Sequence, residues 1–312
     1  MFANLWAGAA TAAWMLFCAR ILDGITGGNA SVAQAVISDI TDEQNRARGF
    51  SLFSAAFGLG FVLGPVISLF AQKISLGAAF YAAAAIAGLA LLMTVFLLPE
   101  TLEQRVHTNV FDLGLETLVT GLFIPRVGIL LIINLLIGTT FSMFTFAFQP
   151  YYLEVLGQNN QSLTLMFVLY GTLGVIMQTV GVPFLTRRFK LTRLFFLALL
   201  VRSLSFILMP IWPILAYFVT VTAVFSILNS LVQPIISTMI SLNTRPEKQG
   251  VVLGLNASYL SISNAIGPVL AGLMVSQVTP ITYGYPLSLA GICTLLVLGG
   301  AIATRQRYAP AT

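Results

Sequence analysis

Long apolar stretches, separated by short polar or turn-forming pieces, set the organisation of this chain. Nine runs approach the roughly 20 residues that a helix needs to cross the hydrocarbon core with every backbone polar group bonded internally. They cover residues 12–38, 49–71, 77–98, 126–153, 162–185, 193–210, 213–241, 250–277 and 282–303. The separators are pieces such as Asp42-Glu43-Gln44-Asn45-Arg46, Gly157-Gln158-Asn159-Asn160, Pro210-Ile211-Trp212-Pro213 and Arg245-Pro246-Glu247-Lys248-Gln249. Strands of a membrane barrel alternate apolar and polar residues over about ten positions, whereas Ile86 to Leu98 is apolar almost throughout, so a barrel is excluded.

The first 40 residues admit two drawings, one span or two. A reversal at Cys18-Ala19-Arg20 has no Gly, Pro or polar linker to support it, and it would leave unbonded backbone in lipid. The turn is expected near Gly8-Ala9-Ala10-Thr11, which leaves residues 1–9 as a helix stub too short to span. No basic segment precedes the first apolar run, so it does not read as a secretory signal.

Composition agrees with a protein dissolved in lipid. Of 312 residues 58% are hydrophobic and 8% charged, far below the roughly quarter of charged residues that solvates an ordinary globular surface; a soluble enzyme is excluded. The net charge of +5 is explained by position. Arg46, Arg48, Arg105, Arg126, Arg187, Arg188, Lys190, Arg193, Arg245, Lys248, Arg305 and Arg307 fall in alternate loops on one side, and Lys73 in a loop on the other. By the positive-inside rule the basic side is cytoplasmic. The expectation is a multi-pass protein of the cell membrane with a cytoplasmic C-terminus, with the lipid bilayer as partner and no nucleic acid. Cys18 and Cys293 stand far apart in apolar runs, so neither a disulfide framework nor a metal site is indicated. No His-Glu-x-x-His, Gly-x-Ser-x-Gly or Walker A pattern is present, and a single histidine, His107, leaves little for acid–base catalysis.

The longest polar stretch, about residues 99–125, holds Glu100, Glu103, Arg105, His107, Asp112 and Glu116 and reads as a cytoplasmic linker. It divides the chain into an incomplete bundle, 1–98, and a six-helix bundle, 126–312. The two echo each other: Asp42 to Gly49 leads into a helix with Gly64-Pro65, and Arg245 to Gly250 into one with Gly267-Pro268. Internal repetition of this kind lets transporters build a site between two rocking halves. With equal halves, two helices and most of a third would precede the first residue.

Ionisable groups at membrane depth cost at least about 2.5–3.5 kcal/mol each on insertion scales, so each needs a partner or a task. Arg20 and Asp23 stand three apart on one helix face, a spacing that allows pairing; they are either a self-neutralising pair or a proton-coupling pair facing a cavity. Arg202, mid-span with no acidic neighbour within a turn, suits snorkelling or a hydrogen-bonded structural role better than substrate contact. Asp39, near Arg46 and Arg48, suits a structural or gating salt bridge. Glu154 with Tyr151 and Tyr152 reads as an outer aromatic belt. The amides Asn29, Gln34, Gln149, Gln178, Asn229, Gln233, Asn256 and Asn264 are costly against lipid; they either bond between helices or line a cavity. Runs of small residues, Gly24 to Gly28 and Gly58 to Pro65 with Gly60 and Gly64, allow close helix approach, while Pro65 and Pro268 are expected to bend their helices.

At these residues the sequence resembles the major facilitator superfamily, in particular its drug:proton antiporters related to tetracycline efflux proteins. Arg20-Ile-Leu-Asp-Gly-Ile-Thr-Gly-Gly-Asn29, Ile37-Ser-Asp-Ile-Thr41 and Arg46-Ala-Arg48 resemble that family's fourth helix and following loop. Gly60-x-x-x-Gly64-Pro65 resembles the antiporter motif of the fifth helix and Leu97-Leu98-Pro99-Glu100 the end of the sixth. The resemblance implies an all-α membrane protein, a major-facilitator-type bundle of about nine complete helices, numbers four to twelve, plus a stub, in two pseudo-repeat halves. It implies an alternating-access carrier exporting a small amphiphilic organic molecule or drug, with protons and their gradient as driving force and no cofactor. Arg20 falls at the family's membrane-embedded arginine, linked to proton coupling, and Asp39 at the acidic end of helix four. Two departures stand out: Ser68-Leu69 replaces the motif's Gly-Gly, and the basic loop that Asp39 would contact lies outside the chain. An importer or facilitator of the same fold, and a non-transporting sensor or defective fragment, are the competing readings.

Overall fold

The computed structural model describes residues 1–71, 73–101, 115–245, 248–276 and 278–308, apart from the side chains of residues 61, 115 and 117. The described residues form helices and turns without a strand. Most of the linker, including His107, Glu103, Arg105 and Asp112, lies outside the described residues, as does Glu247.

The stub is α1, Phe2–Gly8, packed against α2 (Ala13–Ile25) and α5 (Ala78–Leu97). The turn after it falls at the expected Gly8–Thr11 and is tight: a Cβ on Gly77 would lie 2.1 Å from the Gly8 carbonyl oxygen, so only glycine fits there. The apolar run 12–38 does not form one helix. It breaks at Thr26–Gly28 into α2 and α3 (Asn29–Ile40). Gly24, Gly27 and Gly28 lower helix stability at this point, and the Thr26 hydroxyl bonds back to the Leu22 carbonyl at 2.8 Å. Gly24 and Gly28 have open space around them rather than a neighbouring helix.

The remaining front helices are α4 (Arg46–Ala71) and the Ala-rich α5; the short α6 (Leu115–Gly121) precedes the rear set. That set comprises α7 (Val127–Pro150), α8 (Asn160–Ile176), α9 (Val182–Arg188), α10 (Leu191–Leu208), α11 (Leu215–Asn229), α12 (Val232–Leu242), α13 (Gln249–Gly272) and α14 (Gly284–Thr304). Wide π-type turns extend α7 through Tyr151–Val155 and join α8 to α9 through Met177–Gly181. Among the described residues, seven helical stretches are long and apolar enough to cross a membrane: Arg46–Ala71, Ala78–Leu97, Val127–Val155, Asn160–Arg188, Leu191–Leu208, Leu215–Leu242 and Pro280–Arg307. The broken pair α2–α3 and the more polar α13 are the two expected runs outside that set. Pro65 and Pro268 lie inside uninterrupted helices.

Two apolar cores fill the rear set. One, toward the end that carries the basic loops, holds Leu130, Ile137, Phe195, Leu199, Ile236, Val252 and Leu298 and includes Phe50 of α4. The other, toward the opposite end, is aromatic, with Phe144, Phe148, Tyr151, Phe206, Phe218 and Phe225. Phe144 stacks on Phe206 with ring centres 4.8 Å apart, and Tyr151 on Phe218 at 5.5 Å. Tyr151 and Tyr152 therefore face the interior, at 0% and 2% exposure, and do not form an outer belt; the wide turn that starts at Tyr151 swings both rings inward.

Candidate functional site

Front and rear helices meet along one seam, where α4 packs on α8, α9 and α12, and α3 packs on α13. Its midpoint is a backbone approach. A Cβ added to Gly171 would sit 2.7 Å from the Gly58 carbonyl oxygen and 2.5 Å from a Val62 methyl, so glycine is needed at 171 for α4 and α8 to touch, while a Cβ on Gly58 would meet a Val175 methyl at 3.0 Å. Gly60 and Gly64 face open space, and the close contact on α4 is at Gly58 instead. In the rear set the matching approach is at Gly267, where a Cβ would lie 2.5 Å from the Ser142 Cβ and 2.8 Å from the Thr139 carbonyl oxygen.

At the basic end the seam is closed by a polar clasp. Asp42 accepts from the Asn45 amide at 2.8 Å, a local turn that starts α4 and brings Arg46 to its first position. The Arg46 guanidinium donates to the Ser38 carbonyl at 2.8 Å, to the Thr41 carbonyl at 2.6 Å, and across the seam to the Ser241 hydroxyl at 2.9 Å. Ser38 and Ser241 lie 3.3 Å apart, and Ser241 donates to Gln249 Oε1 at 2.9 Å. Gln249 in turn donates to the Ser241 and Thr244 carbonyls. Four helices are thus tied by charge-assisted and neutral hydrogen bonds. Asp39 takes no part in the clasp; its carboxylate accepts from Thr101 at 3.1 Å. Among the described residues Arg48 enters through its main chain, its carbonyl accepting from Ser51.

Toward the opposite end α4 parts from α7 and α8 around a cavity of about 320 Å³. Pro65, Ser68 and Leu69 of α4 face Gln149 of α7 and Asn160, Leu163, Thr164 and Phe167 of α8 across it. A wider, mostly apolar groove of about 610 Å³ lies between α3 and α4, with Asn29 and Gly60 on its walls. Gln34 on α3 and Gln178 in the wide turn beside α4 each hold a buried side-chain oxygen with no hydrogen-bond donor, and Asn264 is exposed.

Arg20 and Asp23 pair at 3.2 Å, and Arg20 also donates to Asn4 of α1 at 3.0 Å. The pair is half exposed, at 51% and 48%, with the guanidinium carbon 5.9 Å from the Phe80 ring centre.

The rear set carries a second polar layer, between its two apolar cores. Arg202 is 2% exposed and does not snorkel. It donates to Asn229 Oδ1 at 3.2 Å, to the Ile137 carbonyl at 2.6 Å and to Thr140 Oγ1 at 3.1 Å, and its guanidinium carbon lies 5.4 and 5.2 Å from the Phe141 and Phe206 ring centres. Asn229 passes the chain on, donating to the Tyr170 hydroxyl at 3.2 Å. One turn below, Gln233 donates to Asn134 at 3.2 Å and Asn134 to Asn256 at 2.6 Å. Asn229, Gln233 and Asn256 therefore bond between helices. Only its isolation among apolar residues marked Arg202 in the sequence, and that signal does not distinguish a hub from a residue reaching for the membrane surface.

The comparisons with known proteins agree with this architecture. The family model of the Major Facilitator Superfamily matches residues 1–268 and, in an overlapping second match, 130–310. The class B tetracycline resistance protein of Escherichia coli is 28% identical over 92% of this chain and 73% of its own length. Multidrug resistance protein 1 of Bacillus subtilis is 28% identical over 93% and 73%, and the quinolone resistance protein NorA of Staphylococcus aureus 26% over 91% and 73%. The crystal structure of the human organic anion transporter MFSD10 (TETRAN) superposes with a TM-score of 0.72 at 19% identity, covering 96% of this chain and 73% of that one, a likeness of fold. With a family model spanning the seam and both of its sides, this chain is a membrane transporter of the Major Facilitator Superfamily.

Proposed function

We propose that this chain is a proton-coupled carrier that exports small amphiphilic organic molecules by alternating access. The observation that carries the reading is the asymmetry of the seam: a hydrogen-bonded clasp of Ser38, Arg46, Ser241 and Gln249 ties α4 to α3, α12 and α13 at one end, and at the other a cavity lies between α4 and the rear helices α7 and α8. Two halves that touch at Gly58 and Gly171 and are latched at one end present their site at the opposite end. The relatives named for resistance to tetracycline, quinolones and multiple drugs support export as the direction and small organic molecules as the cargo. In this reading nine spans and a stub form two related halves, 1–98 and 126–312, joined by the 99–125 linker. The clasp and the C-terminus then lie on the cytoplasmic side, where the basic loops collect.

The cavity's mixed walls, amide and hydroxyl groups with Phe167 and leucines, suit molecules that are part apolar and part hydrogen-bonding. Arg20 and Asp23 are the proton-coupling pair. A proton on Asp23 removes the charge that holds Arg20 at 3.2 Å and leaves the arginine to Asn4, so protonation changes how α2 is tied to α1.

Everted membrane vesicles containing the full chain test this directly. An imposed inward-acid gradient is expected to drive uptake of a fluorescent amphiphile, and a protonophore to abolish it. Uptake that is indifferent to the protonophore would make the protein a facilitator; outward movement under the same gradient would make it an importer.

A further inference from the structure

Away from the ends of the predicted spans the chain carries three ionised groups: Arg20, Asp23 and Arg202. The first two neutralise each other at 3.2 Å. Arg202 has no such partner. Every group bonded to it is neutral, namely Asn229 from α11 and the Ile137 carbonyl and Thr140 from α7. Phe141 and Phe206 offer only their ring faces, and the Nε proton meets no acceptor. Among the described residues no carboxylate lies within ion-pair distance of it. Burying an ion usually demands a counter-charge, so the interior of this protein keeps one uncancelled positive charge at mid-span.

That charge is directed. Asn229 gives its oxygen to Arg202 and turns its Nδ2 toward the Tyr170 hydroxyl, 3.2 Å away. Asn229 and Tyr170 are both partly exposed, while Arg202 is not. The charge is thus relayed through an amide to a phenol, both on residues that keep some exposure. Asn229 is also the last residue of α11, where the span Leu215–Leu242 is interrupted before α12.

We propose that Arg202 is a specificity-determining residue whose uncompensated charge makes this carrier favour anionic and neutral amphiphiles over cationic ones. This rests on the carrier reading above and names its substrate class. A unit charge roughly 10 Å from Arg202, at an effective dielectric constant of about 20, changes affinity on the order of tenfold relative to a neutral analogue, favourably for an anion and unfavourably for a cation.

The full chain in lipid nanodiscs is titrated with three aromatic probes, 1-anilinonaphthalene-8-sulfonate (anionic), N-phenyl-1-naphthylamine (neutral) and ethidium (cationic), and the same probes are followed in everted vesicles. Expected is tighter binding in the order anion, neutral, cation, and the same order in competition for transport. Asn229→Asp places a carboxylate on Arg202 without removing the arginine; it should cut the anion-to-neutral preference about tenfold and admit ethidium. Arg202→Lys keeps the charge but not the fork, and should lower transport while preserving the order. Equal binding of the three probes, a preference for ethidium, or an order unchanged in Asn229→Asp overturns the inference while leaving the carrier reading intact. If no probe is bound or moved, both fall together.

Discussion

The two sides of the seam are built differently although both live in lipid. In the rear set the long apolar stretches are between 28% and 67% buried inside the protein, Val127–Val155 the most; in the front set Arg46–Ala71 and Ala78–Leu97 are 12% and 6% buried. The charges follow the same division: Arg202 is enclosed by three acceptors and two rings, whereas Arg20 and Asp23 are half exposed. A bilayer explains why both arrangements persist. Apolar side chains facing acyl chains lose no hydrophobic stabilisation, so helices associate through close packing and hydrogen bonds rather than through burial itself. The rear set uses many such bonds, while the front relies on a few small-residue contacts and on its attachment along α4 and α3.

That contrast predicts unequal responses to mutation. The largest effect is expected at Arg202. Replacement by Met removes three hydrogen bonds and leaves Asn229 Oδ1 without its donor between two apolar cores, while Thr140 keeps its bonds to the Ile137 carbonyl and Thr294, a loss of about 1–3 kcal/mol. It should appear as a lowered melting temperature of the detergent-solubilised protein; an unchanged value would mean that the hub is ornamental. Next comes the seam. Gly171→Val drives a side chain into the Gly58 backbone, an overpacking cost of roughly 1–3 kcal/mol paid between the sets, so transport should fall at least tenfold while the melting temperature moves less than in Arg202→Met.

At the clasp, Arg46→Ala removes three hydrogen bonds, one of them to Ser241 across the seam. The expected result is a shift of about 1–2 kcal/mol toward opening at the basic end, read as faster thiol labelling of a cysteine placed at Ala47, which is buried next to Arg46 in the chain. Slower labelling would mean that Arg46 props the end open. The smallest change in stability belongs to Asp23→Asn, at most about 1 kcal/mol for a half-exposed pair. Its transport, however, should lose its response to an imposed pH gradient, and a retained response would remove Asp23 from the coupling scheme.

Helix existence was largely legible, because a run such as Ala78–Leu97 has no other way to satisfy its backbone in lipid. The break at Thr26–Gly28 was not, since glycines within an apolar run serve equally to end a helix or to let a neighbour approach, and spacing alone does not choose. The i to i+3 relation allowed contact between Arg20 and Asp23, and the two do pair, at 3.2 Å. Long-range polar pairings were opaque for a different reason. Arg46 with Ser241, Arg202 with Asn229 and Asn134 with Asn256 join residues far apart in the chain, and an amide that bonds a neighbouring helix has the same local sequence as one that lines a chamber. The tyrosines at 151 and 152 were misread because an aromatic at a helix end suggests the membrane surface until a widened turn redirects it.

The glycine contact at the centre of the seam sets the leverage of the proposed rocking. Along α4, Arg46 lies about 18 Å to one side of Gly58 and Leu69 about 17 Å to the other, at about 1.5 Å of rise per residue. With the fulcrum so close to the middle, each ångström by which the latch parts narrows the far mouth by nearly the same amount. In the proposed motion the passage would not stand open at both faces at once, and proportion alone would guard against a leak of ions.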